Sequence, residues 1–242
     1  MPVARTARER ARKEITAEIL AAARGQLRQA GPGELSLRAV AREVGMVSSA
    51  VYRYFASRDE LLTALLISAY DELGEAAEAA DDAIEDRTDH LARWMATCKA
   101  IRGWAIEHPH DYALIYGSPV PGYAAPQDTV MPATRVIVRL VEIIAGAHES
   151  GSASAAAAPP VGAADPGDAV ADAVAFIAER SQVDLEAFPE LVMRTLMVWS
   201  TIFGTLSFEL FGHLKGSVSD LDAYFEQSTL RLAGDLGLAT SE

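Results

Sequence analysis

The fold of this chain is decided by the stretch Ser36-Leu-Arg-Ala-Val-Ala-Arg-Glu-Val-Gly-Met-Val-Ser-Ser-Ala-Val-Tyr-Arg-Tyr-Phe55. Its first half repeats apolar residues at the spacing of one helix face, at Leu37, Val40, Ala41 and Val44. We expect Ser36 to cap the first turn of this helix, and Gly45 to end it in the left-handed conformation. The stretch therefore predicts two short helices joined by a glycine turn.

The second half of the stretch combines apolar side chains on one flank with polar side chains on another. Val51 and Phe55 are one turn apart and can face inward, while Ser48 pairs with Tyr52 and Ser49 with Arg53 on the other flank. Hydroxyl, phenol and guanidinium groups on a short exposed helix suit the base edges and phosphates of a DNA groove. The sequence therefore predicts a DNA-binding helix here.

The charge of the chain is divided between its two ends. The net charge is −13, which by itself argues against binding to nucleic acid. Residues 1–60, however, hold 11 Lys and Arg against 7 Asp and Glu, whereas residues 61–242 hold 10 against 27. The first part therefore carries +4 and the second −17, a division that favours a basic DNA-binding head on an acidic body.

Length and composition narrow the class of protein. The chain has 242 residues, of which 50% are hydrophobic, so it can bury a large core. The sequence contains no uninterrupted apolar run of about 20 residues, and its N-terminus has no apolar signal region. We therefore expect a cytoplasmic protein that does not span a membrane. The single cysteine, Cys98, cannot form an internal disulfide and is predicted to be a buried small hydrophobe.

The periodicity predicts an all-α fold throughout. We expect a basic, disordered arm over residues 1–12 and helices over 13–30, 86–107, 109–117, 128–148, from about 166, 189–211 and 219–236. Ser57-Arg-Asp-Glu60 matches a capping box and predicts the start of a long helix to about residue 80. The predicted domains are an arm with a three-helix helix-turn-helix domain (1–56) and a helical ligand-binding and dimerisation domain (57–242). Low complexity over 150–167 predicts a mobile loop.

The first 66 residues resemble the DNA-binding domain of TetR/AcrR-type transcriptional regulators. The resemblance rests on Leu37-Arg-x-Val-Ala-Arg-Glu-Val-Gly45, Val51-Tyr-Arg-Tyr-Phe55 and Ser57-Arg-Asp-Glu-Leu-Leu62, in the family's order and spacing. The family usually has Val-Ser after the turn glycine, where this chain has Met46-Val47, and we expect Ser48 to cap the second helix instead. The body resembles a subgroup with a WHG-like C-terminal domain through Trp104-x-x-x-His-Pro109, Tyr112-x-Leu-Ile-Tyr-Gly117, Pro119-Val-Pro-Gly-Tyr123 and Trp199 with Gly204.

The resemblance and the residue chemistry together predict the DNA contacts. These are Ser36, Arg38, Ser48, Ser49, Tyr52, Arg53, Tyr54 and Arg58. Arg58 begins a helix, where its positive charge opposes the helix dipole, so a DNA phosphate is its expected partner. Tyr52 and Tyr54 could equally be half-buried packing residues. The resemblance implies a homodimer on a double-stranded, pseudo-palindromic operator. We expect a repressor that a small apolar or amphipathic effector releases from the operator.

Two further sets of residues are predicted in the body. Aromatic and sulfur-bearing side chains suit an adaptable ligand pocket, although an ordinary core would use the same residues: Trp94, Met95, Cys98, Ile101, Trp104, Tyr112, Ile115, Tyr116, Met131 and Val138. Apolar and small residues near the C-terminus predict a dimer interface, although burial within one subunit would use the same residues: Met197, Trp199, Phe203, Gly204, Leu206, Ser207, Leu210, Leu221, Tyr224 and Phe225.

Neither an enzyme nor a metal protein is expected. His108 and His110 flank a proline and lie two residues apart, which does not match a metal-ligand spacing. The sequence contains no Gly-rich phosphate loop and no nucleophile motif, so we expect no catalytic residue and no cofactor. The alternative to a regulator is a helical protein-interaction module that binds nucleic acid non-specifically.

Overall fold

The computed structural model describes residues 3–151, 153, 166–179 and 189–238. These residues contain helices and no strand, in agreement with the predicted all-α class. The helices are α1 (Val3–Ala30), α2 (Leu37–Glu43), α3 (Ser48–Val51), α4 (Arg58–Asp82), α5 (His90–Glu107), α6 (Pro109–Tyr116), α7 (Val130–Glu149), α8 (Gly167–Ala178), α9 (Pro189–Leu210) and α10 (Leu221–Asp235). The low-complexity loop predicted over 150–167 lies almost entirely outside the described residues.

The chain forms two compact units. The first unit contains residues Met1–Asp71 and His108–Ala133, and the second contains Glu72–Glu107 and Thr134–Glu242. This division differs from the predicted boundary at residue 56. The first turns of α4, together with α6 and the loop that follows it, belong to the first unit because their apolar side chains share its core.

The turn between α2 and α3 is formed as the sequence predicts. Leu37, Val40 and Ala41 are buried on one face of α2. Gly45 has a φ of 67°, and the backbone N–H of Met46 donates to the carbonyl of Ala41 at 2.8 Å, which closes the helix end. The turn thereby sets the direction in which α3 leaves.

Neither short helix is capped as predicted. Ser36 occupies the N-cap of α2, but its hydroxyl makes no capping bond, and its backbone N–H instead donates to Oε1 of Gln26 at 3.2 Å. The N-cap of α3 is Val47, which has no side-chain acceptor, so Ser48 is the first helical residue rather than the cap. The capping box of α4 is present, because the N–H of Glu60 donates to the hydroxyl of Ser57 at 3.1 Å.

The N-terminal arm is helical rather than disordered. Helix α1 begins at Val3, ten residues before the predicted start. Residues 7–14 are exposed, so no apolar stripe signals this part of the helix. Alanine, arginine, lysine and glutamate dominate it, and these residues have high intrinsic helix propensity.

Helix α6 is held within the first unit by polar contacts as well as apolar ones. Nε of Arg24 in α1 lies 3.2 Å from Oδ1 of Asp111, whose side chain is 10% exposed. The hydroxyl of Tyr70 in α4 donates to the carbonyl of Ile115 at 3.3 Å. The unit that contains the helix-turn-helix therefore includes a segment from the middle of the chain.

The end of α4 is fixed in the second unit by a buried carboxylate. Asp81 is fully buried and accepts from Nε of Arg93 at 2.7 Å, from Arg87 at 2.9 Å and from Arg139 at 3.1 Å. Burial by itself raises the pKa of this carboxyl, but the bonds from Arg93 and Arg87 outweigh that effect and hold the pKa below its ordinary value. Asp81 thus joins α4 to α5 and α7 as an ionised group.

Helices α5, α9 and α10 pack against one another in the second unit. The indole N–H of Trp94 in α5 donates to the carbonyl of Thr229 in α10 at 3.0 Å. Arg102 in α5 makes two bonds to Glu209 of α9, at 3.0 and 2.7 Å, and approaches Asp222 of α10 to 2.6 Å. Since both partners of the Arg102–Glu209 pair are mostly shielded from solvent, this ion pair fixes where α5 and α9 meet.

Helix α9 is long and apolar enough, by length and composition alone, to cross a membrane over Glu190–Leu210. This is weak evidence for a span, because core helices of soluble proteins pass the same test. One side of α9 is packed inside the second unit through Val192, Val198, Ile202 and Leu206.

We predict that Gly45→Ala lowers the free energy of unfolding by about 1–2 kcal/mol, because a side chain at positive φ is strained. A Cβ at Gly45 would meet no atom within 4 Å, so the cost is one of backbone conformation. Gly33→Ala is the matched control, since Gly33 has equal space and no positive φ. Denaturant unfolding of both variants measures the difference, and equal stabilities would contradict the prediction.

Candidate DNA interface and ligand-binding body

The polar side chains of α3 and the turn after it are presented to solvent. Ser49, Tyr52 and Arg53 are exposed, with Tyr52 at 45%. Backbone bonds from the N–H of Tyr52 to Ser48 and from Phe55 to Val51 continue the helical turn beyond the end of α3. Three of the predicted DNA contacts therefore project from one ordered surface.

The other predicted contacts differ in accessibility. Arg38 on α2 is exposed, whereas Ser36, Ser48 and Tyr54 are half-buried. Tyr54 packs against the core of the first unit, and the guanidinium of Arg12 in α1 lies 5.0 Å from the centre of its ring. Tyr54 is therefore in part a packing residue, as one interpretation of the sequence allowed. It connects the first part of α1 to the end of the α3 segment, by which we mean α3 and the helical turn that continues it to Phe55.

Arg58 has a role that the sequence did not predict. Its Nη2 donates to the carbonyls of Pro32 at 2.7 Å and Gly33 at 3.1 Å, and its Nε donates to Leu35 at 3.2 Å. The guanidinium thus satisfies the backbone of the turn between α1 and α2. These bonds give the positive charge at the start of α4 a structural explanation, so a phosphate is no longer needed to account for it.

Val47 is a surface residue that the sequence pattern did not single out. It immediately precedes α3, and it is 70% exposed, the highest value among the exposed large apolar residues described. Its exposure could have been predicted, because Val47 falls outside the apolar stripes of both helices. An exposed valine beside Ser48 and Ser49 is suited to contact a thymine methyl group in a major groove.

The residues predicted to line a ligand pocket are divided between the two units. Tyr112, Ile115, Tyr116 and Met131 belong to the first unit, and the remaining six belong to the second. Met131 is 58% exposed rather than enclosed. Within the second unit Trp94, Cys98 and Ile101 are fully buried core residues.

Three tyrosines of the first unit, Tyr70, Tyr112 and Tyr116, form a compact group. The ring of Tyr116 lies 5.2 Å from that of Tyr112 and 6.2 Å from that of Tyr70, measured between centres. Burial, and to a smaller extent the neighbouring phenols, raises the pKa of Tyr116 above its ordinary value. Tyr116 is therefore a neutral packing group at physiological pH.

A cavity of about 480 Å³ lies between α5 and α10 of the second unit. It is lined by Met95, Ala96, Lys99, Arg102, Asp222, Phe225, Glu226 and Thr229. Met95 is the one predicted pocket residue in this lining. The lining combines apolar side chains with charged side chains of both signs, so the cavity is amphipathic rather than apolar.

Cys98 is buried, as the sequence predicted. Burial raises the pKa of its thiol far above the ordinary value, so the reactive thiolate is scarce in the folded protein. Within the described residues, no group of three or more His, Cys, Asp or Glu side chains is placed to hold a metal ion.

The residues predicted at a dimer interface fall into three classes. Phe203, Leu206 and Phe225 are buried within the second unit, so they do not form its outer surface. Met197, Gly204 and Tyr224 are exposed, while Trp199, Ser207, Leu210 and Leu221 are half-buried. Phe208, which was not predicted, adds an apolar side chain that is 54% exposed.

Two family models match the chain. One, described as bacterial regulatory proteins of the tetR family, matches residues 19–65. The other, described as the tetracyclin repressor-like C-terminal domain, matches residues 94–232. The second match alone covers more than half of the chain.

Similar proteins cover almost the whole chain. The HTH-type transcriptional regulators Rv1816 of Mycobacterium tuberculosis and Mb1846 of Mycobacterium bovis are each 38% identical over 235 residues, which is 95% of this chain and 95% of each relative. Among solved structures, the regulatory protein SCO4313 is 34% identical with a TM-score of 0.72, covering 93% of this chain and 98% of its own. A protein of unknown function from Rhodococcus sp. RHA1 is 25% identical with a TM-score of 0.67, over 92% and 95%.

We predict that Arg58→Met lowers the free energy of unfolding by about 1–2 kcal/mol, because it leaves backbone carbonyls of the α1–α2 turn without their donor. The salt dependence of DNA binding should stay unchanged, since Arg58 already has internal partners. Arg53→Gln should have the opposite pattern of effects. Its free energy of unfolding should stay within about 0.5 kcal/mol of the wild type, while the slope of log binding constant against log salt concentration should become shallower by about 0.9 per subunit. A reduced salt slope in Arg58→Met would restore the phosphate role.

Proposed function

This chain belongs to the TetR family of bacterial transcriptional regulators, and we propose that its homodimer represses transcription from a pseudo-palindromic operator until a small molecule releases it. The observation that carries the proposal is the exposed set Ser49, Tyr52 and Arg53 on the α3 segment, within residues 1–60, which carry a net charge of +4. We also propose that the protein acts in the cytoplasm and has no enzymatic activity, as suits a regulator that must reach DNA.

The dimer is proposed to form through α9 and α10. Met197, Gly204 and Phe208 lie on nearly the same side of α9, because seven and four residues correspond to nearly whole turns. Met197 is 61% exposed and Phe208 54%, and a Cβ at Gly204 would meet nothing within 4 Å. An apolar stripe with a small residue in its middle allows another helix to approach closely, and Tyr224 of α10 adds a further exposed aromatic ring.

The effector is proposed to bind in the second unit. Helix α5 carries the adaptable side chains Trp94, Met95 and Cys98, and the cavity beside Met95 has the volume of a small-molecule site. Since Lys99 and Glu226 line that cavity as well, an amphipathic effector fits it better than a purely apolar one.

Helix α4 is proposed to carry the effector signal. It runs without interruption from Arg58 in the first unit to Asp82 in the second. Its last turns are paired with α7 through Glu78 and Arg135, at 2.9 and 2.7 Å, and through Asp81. A ligand that shifts α5 or α7 would therefore move α4, and a dimer reads its two half-sites only when the recognition helices are about 34–36 Å apart or a multiple of that.

We predict that selection from random DNA will recover a two-fold symmetric sequence bound at least about 10³-fold more tightly than random DNA. A compound screen against that complex should then yield small molecules that release the protein. If random DNA competes as well as the selected sequence, the protein is better explained as an interaction module that binds nucleic acid non-specifically.

We predict that Met197→Glu raises the dissociation constant of the dimer at least about tenfold, because it places a charge in an apolar interface. Met131→Glu is the matched control: Met131 is 58% exposed but lies in the first unit. Sedimentation equilibrium measures both variants. An unchanged dimer in Met197→Glu would move the interface away from this face of α9.

A further inference from the structure

We propose that residues 7–14 of α1 form a second DNA-binding surface, which contacts the backbone of the duplex that flanks the sequence read by the α3 segment. The proposal rests on the proposed function, because it assumes that the first unit binds an operator. It gives a specific role to a segment that the sequence predicted to be a disordered arm.

The segment is strongly basic and fully accessible. Residues 7–14 of α1 are all exposed. Four of them, Arg8, Arg10, Arg12 and Lys13, are cationic, against the two acids Glu9 and Glu14. In a chain with a net charge of −13, such a concentration of positive charge stands out, and a polyanion is its natural partner.

A contact with the α3 segment positions one of these charges, that of Arg12. The Arg12 guanidinium lies over the ring of Tyr54 at 5.0 Å, and Tyr54 is adjacent to the exposed Arg53. Arg8 lies one helical turn before Arg12 and therefore on nearly the same face. The two arginines thus form a row that starts beside Tyr54 at the end of the α3 segment and continues along α1.

The helix gives this row a defined reach. From Arg8 to Arg12 the helix rises by about 6 Å, at 1.5 Å per residue. Double-stranded DNA carries about one phosphate charge per 1.7 Å of its axis, so several phosphates lie within that distance. A guanidinium stacked on an aromatic ring keeps its N–H groups at the edge, where they can still donate to phosphate oxygens.

The test uses two operator duplexes, one limited to the selected sequence and one extended by about ten base pairs on each side. The wild-type protein should bind the extended duplex more tightly and with a steeper salt dependence. Arg8→Gln combined with Arg12→Gln should remove most of that gain and lower the salt slope by up to about four units for a dimer, at about 0.9 for each phosphate that is no longer neutralised. Lys215→Gln combined with Arg231→Gln removes the same charge from the second unit and should bind as the wild type does.

A second variant tests whether the helix positions these charges. Ala11→Pro keeps every cation but breaks α1 between Arg8 and Arg12. It should bind the short duplex normally and lose the gain on the extended one. If Ala11→Pro binds the extended duplex as much more tightly than the short one as the wild type does, the helix has no positioning role. If the double arginine variant does so, the proposal is overturned. A wild-type protein with no preferred sequence at all would instead refute the proposed function.

Discussion

The arrangement of the second unit depends on one buried carboxylate. Asp81 ends α4 and is bound by arginines from α5, from α7 and from the loop between α4 and α5. Removing an arginine would leave a buried charge less compensated, at a cost of several kcal/mol in comparable cases. Within the second unit, the end of α4 therefore cannot slide past α5 and α7 without breaking these bonds.

The sequence predicted helices best where an apolar stripe existed. The predicted starts and ends of α5, α6, α7, α9 and α10 fall within about four residues of the observed ones, and Gly45 has the predicted left-handed conformation. The first turns of α1 were missed, because an exposed helix that rests on intrinsic propensity has no apolar stripe to detect. The predictions that Ser36 and Ser48 cap their helices were wrong. A serine at a helix start shows only that its side chain can form a capping hydrogen bond, not that it does.

The candidate site was predictable in composition but not in its long-range contacts. Ser49, Tyr52 and Arg53 are exposed as expected, since a short polar helix flank has few other places to point. The partners of Arg58 lie more than 20 residues away, in a turn whose carbonyls leave no signal in the sequence. The sequence also does not distinguish Phe203 from Met197, since both are apolar residues of α9. In the structure Phe203 is buried in the core and Met197 is exposed to solvent.

The division of charge also constrains how such a protein approaches DNA. Residues 61–242 carry −17 and are repelled by phosphates, whereas residues 1–60 carry +4 and are attracted. Since screening limits both effects to about 8–10 Å at ordinary salt, residues 1–60 must present their cations at close range for binding to be favourable. Spreading arginines along an ordered helix increases the number of phosphates reached without adding positive charge elsewhere. An acidic body with a locally basic head therefore disfavours non-specific association through the body and leaves specific contact to the head.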